Sequence, residues 1–465
     1  MRVLILGGGT VGASIAEFLC KKNHQVTVVD SNPAVIHGLD SELDVGVVTG
    51  SASLSSVLFQ AGVTTADLCL ALTGVDEVNM VASSMAKAMG ATRVAARVYA
   101  KVLRDLSTFD YGDHFHIDRL LSIEHLTAME LARRIREPGA MTIEYFAHGD
   151  LELHEVAITR ESASTGVPLA ELKLPPEVRI GSIHRDNAIT IAAADDEIRV
   201  GDRVTILGAR ADVEEVKKRF NTASAVKKSV AIAGGGETGF HLAQTLANRN
   251  YLVKLIESDR DRCDWLATQF DAKTSIICGD ARRQKMLEEE RIGASDFFVA
   301  ATGDDENNIL ACFEAKSLGA DNALAVINSP DYAGVIGKLR ISVENNDGSA
   351  QPSSGLKIDH TVSPREVIER QIEGLLHTGP LVFDDPYLLG GKISVVELEV
   401  GPNSRVTREL LLNCQLPKRS LIASVVRDRF VQVPGGQFQM KAGDLVVALV
   451  YEDDIPTLVE AFAQE

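Results

Sequence analysis

The sequence predicts an α/β protein with two doubly wound parallel-sheet domains, each followed by a small α+β subdomain. Three observations predict it. A short apolar strand runs into a glycine-rich turn at Val3–Gly12, and again at Val230–Gly239. An acid stands 18 residues beyond the last glycine of each turn, Asp30 in one copy and Glu257 in the other. Further landmarks repeat along the chain in the same order, the signature of a duplicated architecture.

The repetition sets the domain organisation. The pairs Gly7/Gly234, Gly9/Gly236, Gly12/Gly239 and Asp30/Glu257 are all 227 residues apart. Thr73/Thr302, which open TGVDEVN and TGDDENN, and Gly50/Gly279 are 229 apart. Later pairs, Leu174/Leu416, Arg185/Arg427 and Asp202/Asp444, are 242 apart. The last jump falls at ENNDGSAQPSSG (344–355), a polar, Ser/Gly-rich stretch that reads as a surface insertion. Four domains are therefore expected in the order A–B–A′–B′: 1–138, 139–226, 227–378 and 379–465. Residues 221–228 serve as the linker between halves. A length of 465 residues agrees, at about 100–200 residues per domain.

Each type A domain opens with strand, glycine turn, helix, strand and acid. In the first copy these are Val3–Leu6, Gly7–Gly12, Ala13–Lys22, Gln25–Val29 and Asp30. This is the fingerprint of a dinucleotide-binding, Rossmann-type βαβ unit. Gly7 turns the chain tightly off the strand. Gly9 lets bare backbone approach a diphosphate, and Gly12 lets the helix pack on the sheet. The helix start offers free amides and a partial positive charge to phosphate. Asp30 can hold ribose hydroxyls and disfavours a 2′-phosphate, so an NAD-like or simple adenine nucleotide is expected. Gly234, Gly236, Gly239 and Glu257 repeat these positions. Further strands, DVGVVTG, DLCLALTG and TRVAARV, bring Thr73, Gly74 and Arg97 to the carboxyl edge of the sheet, where ligands lie. The copies differ there. Val326 stands where Arg97 does, and Gly279-Asp280 replaces Gly50-Ser51, so Asp280 joins the candidate binding residues and the two sites should differ in ligand preference.

The acids at 76–77 and 304–306 precede expected helices at Met80–Met89 and Ile309–Leu318, where they complement the helix dipole. The type B segments read as short strands, Leu153–Ile158, Val178–His184, Ala188–Ala192 and Arg203–Leu207, then a helix at Asp212–Phe220. They suggest a sensing or dimerisation module.

Composition narrows the function classes. The net charge of −18 and the lack of a basic tract argue against nucleic-acid binding. The six cysteines, Cys20, Cys69, Cys263, Cys278, Cys312 and Cys414, form no C-x-x-C pair and read as scattered reduced thiols. No apolar run reaches the 18 or so residues of a membrane helix, and Met1–Leu6 meets glycine too soon for a signal-peptide core. Neither a nucleophile elbow nor a P-loop occurs. His114 and His116 would share a strand face but do not make a metal site alone. No catalytic residues and no metal are expected. A duplicated NAD-dependent oxidoreductase is the rival reading; it would need acid–base residues that the type B segments do not offer.

The motifs GGGTVG with Asp30, ALTGVDEVNMVA (71–82), ARV (96–98), LSIEHL (121–126) and KLPPEVRIGSIHRDNAITI (173–191) together resemble the TrkA family of Trk-system potassium-uptake regulators. GGGETG, KLIESD, GDARRQKMLEEE, AATGDDENNIL and VSPREV extend the resemblance through the second half. It implies tandem RCK domains, each a Rossmann unit with an RCK C-terminal subdomain. Implied too are binding of NAD(H) or ATP/ADP, a homo-oligomer (dimer or larger ring), and docking on a TrkH-type potassium channel at the cytoplasmic face of the membrane. The nucleotide contacts it implies are Gly7, Gly8, Gly9, Thr10, Val11, Asp30, Thr73, Gly74 and Arg97. In the second copy they are Gly234, Gly235, Gly236, Glu237, Thr238, Glu257, Thr302 and Gly303. An RCK-type regulator of another transporter is the nearer alternative.

Overall fold

The computed structural model describes residues 1–105, 109–135, 151–158, 164–176, 178–186, 188–220, 227–247, 251–271, 274–329, 332, 358–376, 381–383, 393–427 and 430–463. The expected boundaries at 138/139 and 378/379, most of the 221–228 linker and the 344–355 insertion lie outside these residues.

The first lobe runs β1 (Arg2–Leu6), α1 (Thr10–Lys21), β2 (Gln25–Asp30), α2 (Pro33–Glu42), β3 (Gly46–Thr49), α3 (Ser55–Gln60), β4 (Leu68–Ala71), α4 (Asp76–Ala88), β5 (Arg93–Arg97), α5 (Tyr111–His114), β6 (Arg119–Leu121) and α6 (Ile123–Ile135). Next come β7 (Leu151–Ala157), β8 (Val178–Arg185), β9 (Ala188–Ile191), β10 (Arg203–Ala209) and α7 (Arg210–Phe220). The second lobe follows with β11 (Lys228–Ala233), α8 (Glu237–Ala247), β12 (Tyr251–Glu257), α9 (Arg260–Gln269), β13 (Thr274–Cys278), α10 (Gln284–Glu289), β14 (Phe297–Ala300), α11 (Asp305–Ser317), β15 (Asn322–Val326), β16 (His360–Val362) and α12 (Pro364–Leu376). The chain closes with β17 (Leu381–Phe383), β18 (Ile393–Glu399), β19 (Ser420–Arg427), β20 (Phe430–Gln432), β21 (Leu445–Tyr451) and α13 (Ile455–Phe462).

Each lobe is a parallel six-stranded sheet with helices, in the orders β3-β2-β1-β4-β5-β6 and β13-β12-β11-β14-β15-β16. The strand order reverses beside β1 and beside β11, so the crevice of each lobe opens at the carboxyl end of its glycine strand. The central strands are nearly continuous apolar runs because helices cover both faces. All of β4 is buried, whereas edge strand β3 buries only Val48. The α/β class and the doubly wound sheets are those that the glycine turns predict.

The smaller sheets are antiparallel, ordered β7-β10-β8-β9 and β17-β18-β21-β19-β20. The landmarks 242 residues apart acquire a physical reason here. Asp202, 2% exposed, accepts from Arg185 Nε at 2.8 Å and Nη2 at 2.7 Å, and Asp444, also 2% exposed, takes the same two bonds from Arg427 at 2.7 and 2.6 Å. Each carboxylate also accepts a backbone amide, from Arg199 or Lys441. The pair stitches the ends of two adjacent strands.

The chain sorts like with like. One compact unit comprises Met1–Arg134 and Val226–Leu376, and the other Ile135–Ala225 and His377–Glu465. Within the first unit, α1 packs on α12, where Arg365 pairs with Glu17 at 3.0 Å and Glu369 at 2.8 Å, and Lys22 pairs with Glu373. The equivalent contact from the other copy joins α8 to α6 and uses different chemistry. The rings of His241 and His125 meet edge-on with centroids 5.2 Å apart, and His241 Nε2 and His125 Nδ1 find no hydrogen-bond partner. Burial is the main cause that pushes His125 down to about 4 and His241 down to about 3, with the Arg104 and Lys101 charges adding to it. Both rings are therefore neutral at physiological pH. In the second unit, Ile191 and Leu207 share one apolar core with Ile393, Val395, Ala423, Val447 and Leu449.

Two local expectations are corrected. His114 and His116 do not lie on a strand. His114 ends the short helix α5 and His116 follows at φ +54°, so the alternation needed for a shared face is absent. Helices α4 and α11 begin four residues earlier than expected, which places Asp76, Glu77, Asp305 and Glu306 inside the first turn.

Candidate functional site

In the first lobe the glycine turn is built around three different demands. Gly7 sits at φ +105°, and a Cβ there would stand 2.9 Å from the Thr73 amide nitrogen. Its own N–H donates to Val29 O at 2.7 Å. A Cβ at Gly12 would fall 1.8 Å from Gly7 O, so any side chain would drive α1 off the turn. Gly9 is the opposite case: a Cβ there meets nothing within 4 Å. Gly9 and Thr10 are exposed, and Gly9 caps α1 without a side-chain bond. Among the described residues, no acceptor is given to the amides of Gly9, Thr10 and Val11, the unsatisfied first-turn donors of a helix. The open space and the free amides coincide, which is the shape of an anion cradle.

Asp30 closes one side of that cradle. Its Oδ2 accepts from Gly8 N at 2.7 Å and its Oδ1 from Asn32 N at 2.8 Å. Each carboxylate oxygen keeps lone-pair capacity for a further donor such as a ribose hydroxyl. The Gly8 amide is thus spent on Asp30, so the cradle is made by the amides that follow it. Asn32 caps α2 by accepting from Ala34 N at 3.0 Å.

The second lobe repeats the arrangement with altered chemistry. Gly234 has φ +106° and Gly239 would clash with Gly234 O at 1.9 Å, while Gly236 is open. Glu257 Oε2 accepts from Gly235 N at 2.7 Å, matching Asp30. Glu237 and Thr238, equivalent to Thr10 and Val11, open α8. Arg262 Nε donates to Gly235 O at 2.8 Å and Nη2 to Glu237 Oε1 at 2.9 Å, and its guanidinium stacks 4.1 Å from the ring centroid of Trp265. In the first copy Thr10, Val35 and Gly38 replace Glu237, Arg262 and Trp265, so the charged latch belongs to the second lobe alone.

Thr73 and Gly74 reach the crevice after β4. A clamp that sequence reasoning missed holds them there. Asn79, wholly buried, accepts from Thr73 N at 2.9 Å and Thr73 Oγ1 at 2.7 Å, and donates to Thr73 O at 3.0 Å and Arg97 O at 2.9 Å. Asn308 does the same for Thr302 and Val326 O. The signal was available, since both asparagines stand six residues after the threonine of a repeated motif. Gly74 and Gly303 are open, and Gly74 lines a shallow depression with Val75, Asp76, Glu77 and Tyr99. Asp76 is more than a dipole partner: it accepts from the Tyr99 and Ala100 amides, as Asp305 does from Asn328 and Ser329.

Two charged candidates have ion-pair partners within the chain. Arg97, 11% exposed in its side chain, donates to Glu124 Oε1 at 2.8 Å and lies over the Tyr99 ring. Asp280 is bound bidentately by Arg282, whose hydrogen bonds hold its carboxyl down to about 2.

The strand order, the paired glycine turns and their carboxylates define a duplicated dinucleotide-fold protein with small antiparallel companion modules. The TrkA-N domain model matches residues 3–108 and 230–344, and the TrkA-C domain model residues 153–221 and 395–463. The chain belongs to the TrkA family. It is 33% identical over 463 residues to a Trk system potassium uptake protein TrkA homolog of Archaeoglobus fulgidus, covering 99% of this chain and 100% of the relative. It is 30% identical to Trk system potassium uptake protein TrkA of Halomonas elongata, covering 97% and 96%. Among solved structures, the GsuK RCK domain superposes with a TM-score of 0.57 at 17% identity, covering 99% of this chain and 94% of that one. The GsuK channel bound to NAD gives a TM-score of 0.56 at 16% identity, covering 99% and 78%. These structures share the fold. Among the described residues, no helix is long and apolar enough to cross a membrane, and no group of three or more His, Cys, Asp or Glu could hold a metal.

Proposed function

We propose that the chain is a cytoplasmic, non-catalytic regulatory subunit of a Trk-type potassium-uptake system, which binds NAD(H) or adenine nucleotides at its glycine turns and biases a TrkH-type channel. One observation carries the reading: in both lobes the middle glycine opens onto free space beside unspent helix amides, with a carboxylate from the end of the adjacent strand, bonded to the glycine turn, for the sugar. The names of the relatives support the transport assignment, and a fold neighbour bound to NAD supports the ligand class. When bound, the nucleotide supplies negative charge and hydrogen-bonding groups. The chain's own part is to hold the diphosphate on the Gly9–Val11 and Gly236–Thr238 amides and the ribose on Asp30 and Glu257.

Regulation follows from linkage. A ligand shifts an equilibrium only through different affinities for its two states. A tenfold preference supplies about 1.4 kcal/mol per occupied site, and two lobes per chain, multiplied in a homo-oligomer, add up. The test is a thermal-shift panel of NAD, NADH, ADP and ATP on the full chain, with copurification of the co-expressed channel. Selective stabilisation by adenine nucleotides and retention of the channel are expected. No shift with any of the four compounds would overturn the ligand assignment; NADH turnover with a carbonyl substrate would favour the oxidoreductase instead.

A further inference from the structure

Two of the six cysteines, 15 residues apart in sequence, both stand beside Glu257. Cys278 is the last residue of β13 and pairs in register with Glu257, the carboxylate of the second lobe. Cys263 lies in the first turn of α9, which packs on β13, and its thiol donates to the backbone oxygen of that same Glu257 at 3.3 Å. Burial, then contact with the Cys278 thiol, pushes Cys263 up to about 12. Cys263 is 5% exposed, whereas Cys278 is open to solvent. The first lobe has Ile36 and Thr49 at these positions, with Thr49 in the same register beside Asp30. The pair is therefore a feature of one copy and is not needed to build the fold.

We propose that Cys263 and Cys278 form a redox-active dithiol at the second nucleotide site, closed to an intramolecular disulfide by an oxidant of the low-molecular-weight disulfide class. The accessible Cys278, as thiolate, attacks one sulfur of the oxidant and releases one thiolate. Cys263 then loses its proton, attacks the Cys278 sulfur and displaces the second thiolate. Two electrons pass to the oxidant, and the two cysteine protons end on the two thiols it becomes. The sulfurs must close to a bond of about 2 Å, which moves the first turn of α9 relative to the end of β13. That turn also carries Arg262, which spans Gly235 O and Glu237. Closing the disulfide removes the thiol donor from Glu257 O and pulls on the residue that latches the glycine turn. Intracellular disulfides of this transient kind are commonly redox-sensing.

The effect on nucleotide affinity rests on the function proposed above; the disulfide itself does not. The experiment treats the full chain with oxidised glutathione, blocks remaining thiols by alkylation and maps peptides by mass. A crosslink joining the Cys263 and Cys278 peptides, reversed by dithiothreitol, is expected. Cys263→Ser should instead trap glutathione on Cys278, and Cys278→Ser should yield neither product. Trp265, two residues from Cys263 and the chain's single tryptophan, should lose fluorescence on oxidation and regain it on reduction. In a Gly9→Val background, which leaves only the second site, ADP affinity should change at least threefold between the two redox states. Mixed disulfide alone on wild-type Cys278, or alkylation of both thiols after oxidation, would refute the dithiol even if ADP binds. A mapped disulfide in a chain that binds no nucleotide would keep the dithiol and sink the binding reading.

Discussion

Two substitutions in one loop, Gly9→Val and Gly12→Ala, should have opposite consequences. Gly9 has φ −62° and ψ −173°, a backbone any residue adopts, and a side chain there enters empty space. Losing a favoured helix-capping residue costs about 0.5–1 kcal/mol. At about 2–4 °C per kcal/mol for a domain of this size, the melting temperature falls by roughly 1–4 °C. The valine methyls, however, occupy the place of a diphosphate. A nucleotide at one hundred times its dissociation constant stabilises the folded state by about 2.7 kcal/mol, or roughly 5–11 °C. Gly9→Val should lose the first lobe's share of that shift while remaining folded. Gly12→Ala adds a single carbon 1.8 Å from Gly7 O, a backbone atom that cannot rotate aside. Overpacking of this kind costs about 1–3 kcal/mol or more, so it should lower the melting temperature before any ligand is added. Differential scanning fluorimetry with and without ADP separates the two. A Gly9→Val, Gly236→Val double variant that keeps the full nucleotide shift would refute the placement of ligand on the glycine turns.

Asp444→Asn should destabilise the antiparallel unit by about 2–4 kcal/mol, because the buried carboxylate that takes two charged hydrogen bonds from Arg427 is lost; a lowered urea midpoint by circular dichroism checks it. Asn79→Leu should cost about 2–4 kcal/mol by orphaning the Thr73 amide and hydroxyl, and should weaken nucleotide binding as well. Acidification should loosen the first unit. His125 and His241 have folded-state values of about 4 and 3, below the usual 6.5, so the unfolded chain binds more protons between those limits. Stability is full above pH 6.5 and falls as pH drops toward 4, by up to about 1.4 kcal/mol per pH unit per histidine. The His125→Phe, His241→Phe variant should flatten that slope in pH-dependent melts; an unchanged slope would remove the histidines from the account.

The fold was legible because Gly7, Gly12 and their repeats answer purely local steric demands, and because a duplicated pattern shows every demand twice. The Arg185–Asp202 pair was visible only as a repeated spacing; its bond required the strands to be laid side by side. Arg97 illustrates the limit more sharply. Its position as the last residue of a strand points to the carboxyl edge of the sheet, while its ion-pair partner Glu124 comes from a later helix, and no local pattern announces that contact. The His125–His241 contact and the Cys263–Cys278 pair are likewise tertiary events. They join residues whose separation carries no periodicity, so composition alone made the thiols look scattered.

Because lobe packs on lobe within a single chain, gene duplication has hard-wired what separate protomers would have to find by diffusion. Any closed assembly made from this polypeptide contains an even number of lobes, and alternate members need not be chemically alike. Selection can then tune one half, as the Glu237–Arg262–Trp265 latch shows, without disturbing its twin. A fused pair of unequal lobes can carry two different surface chemistries on one shared framework.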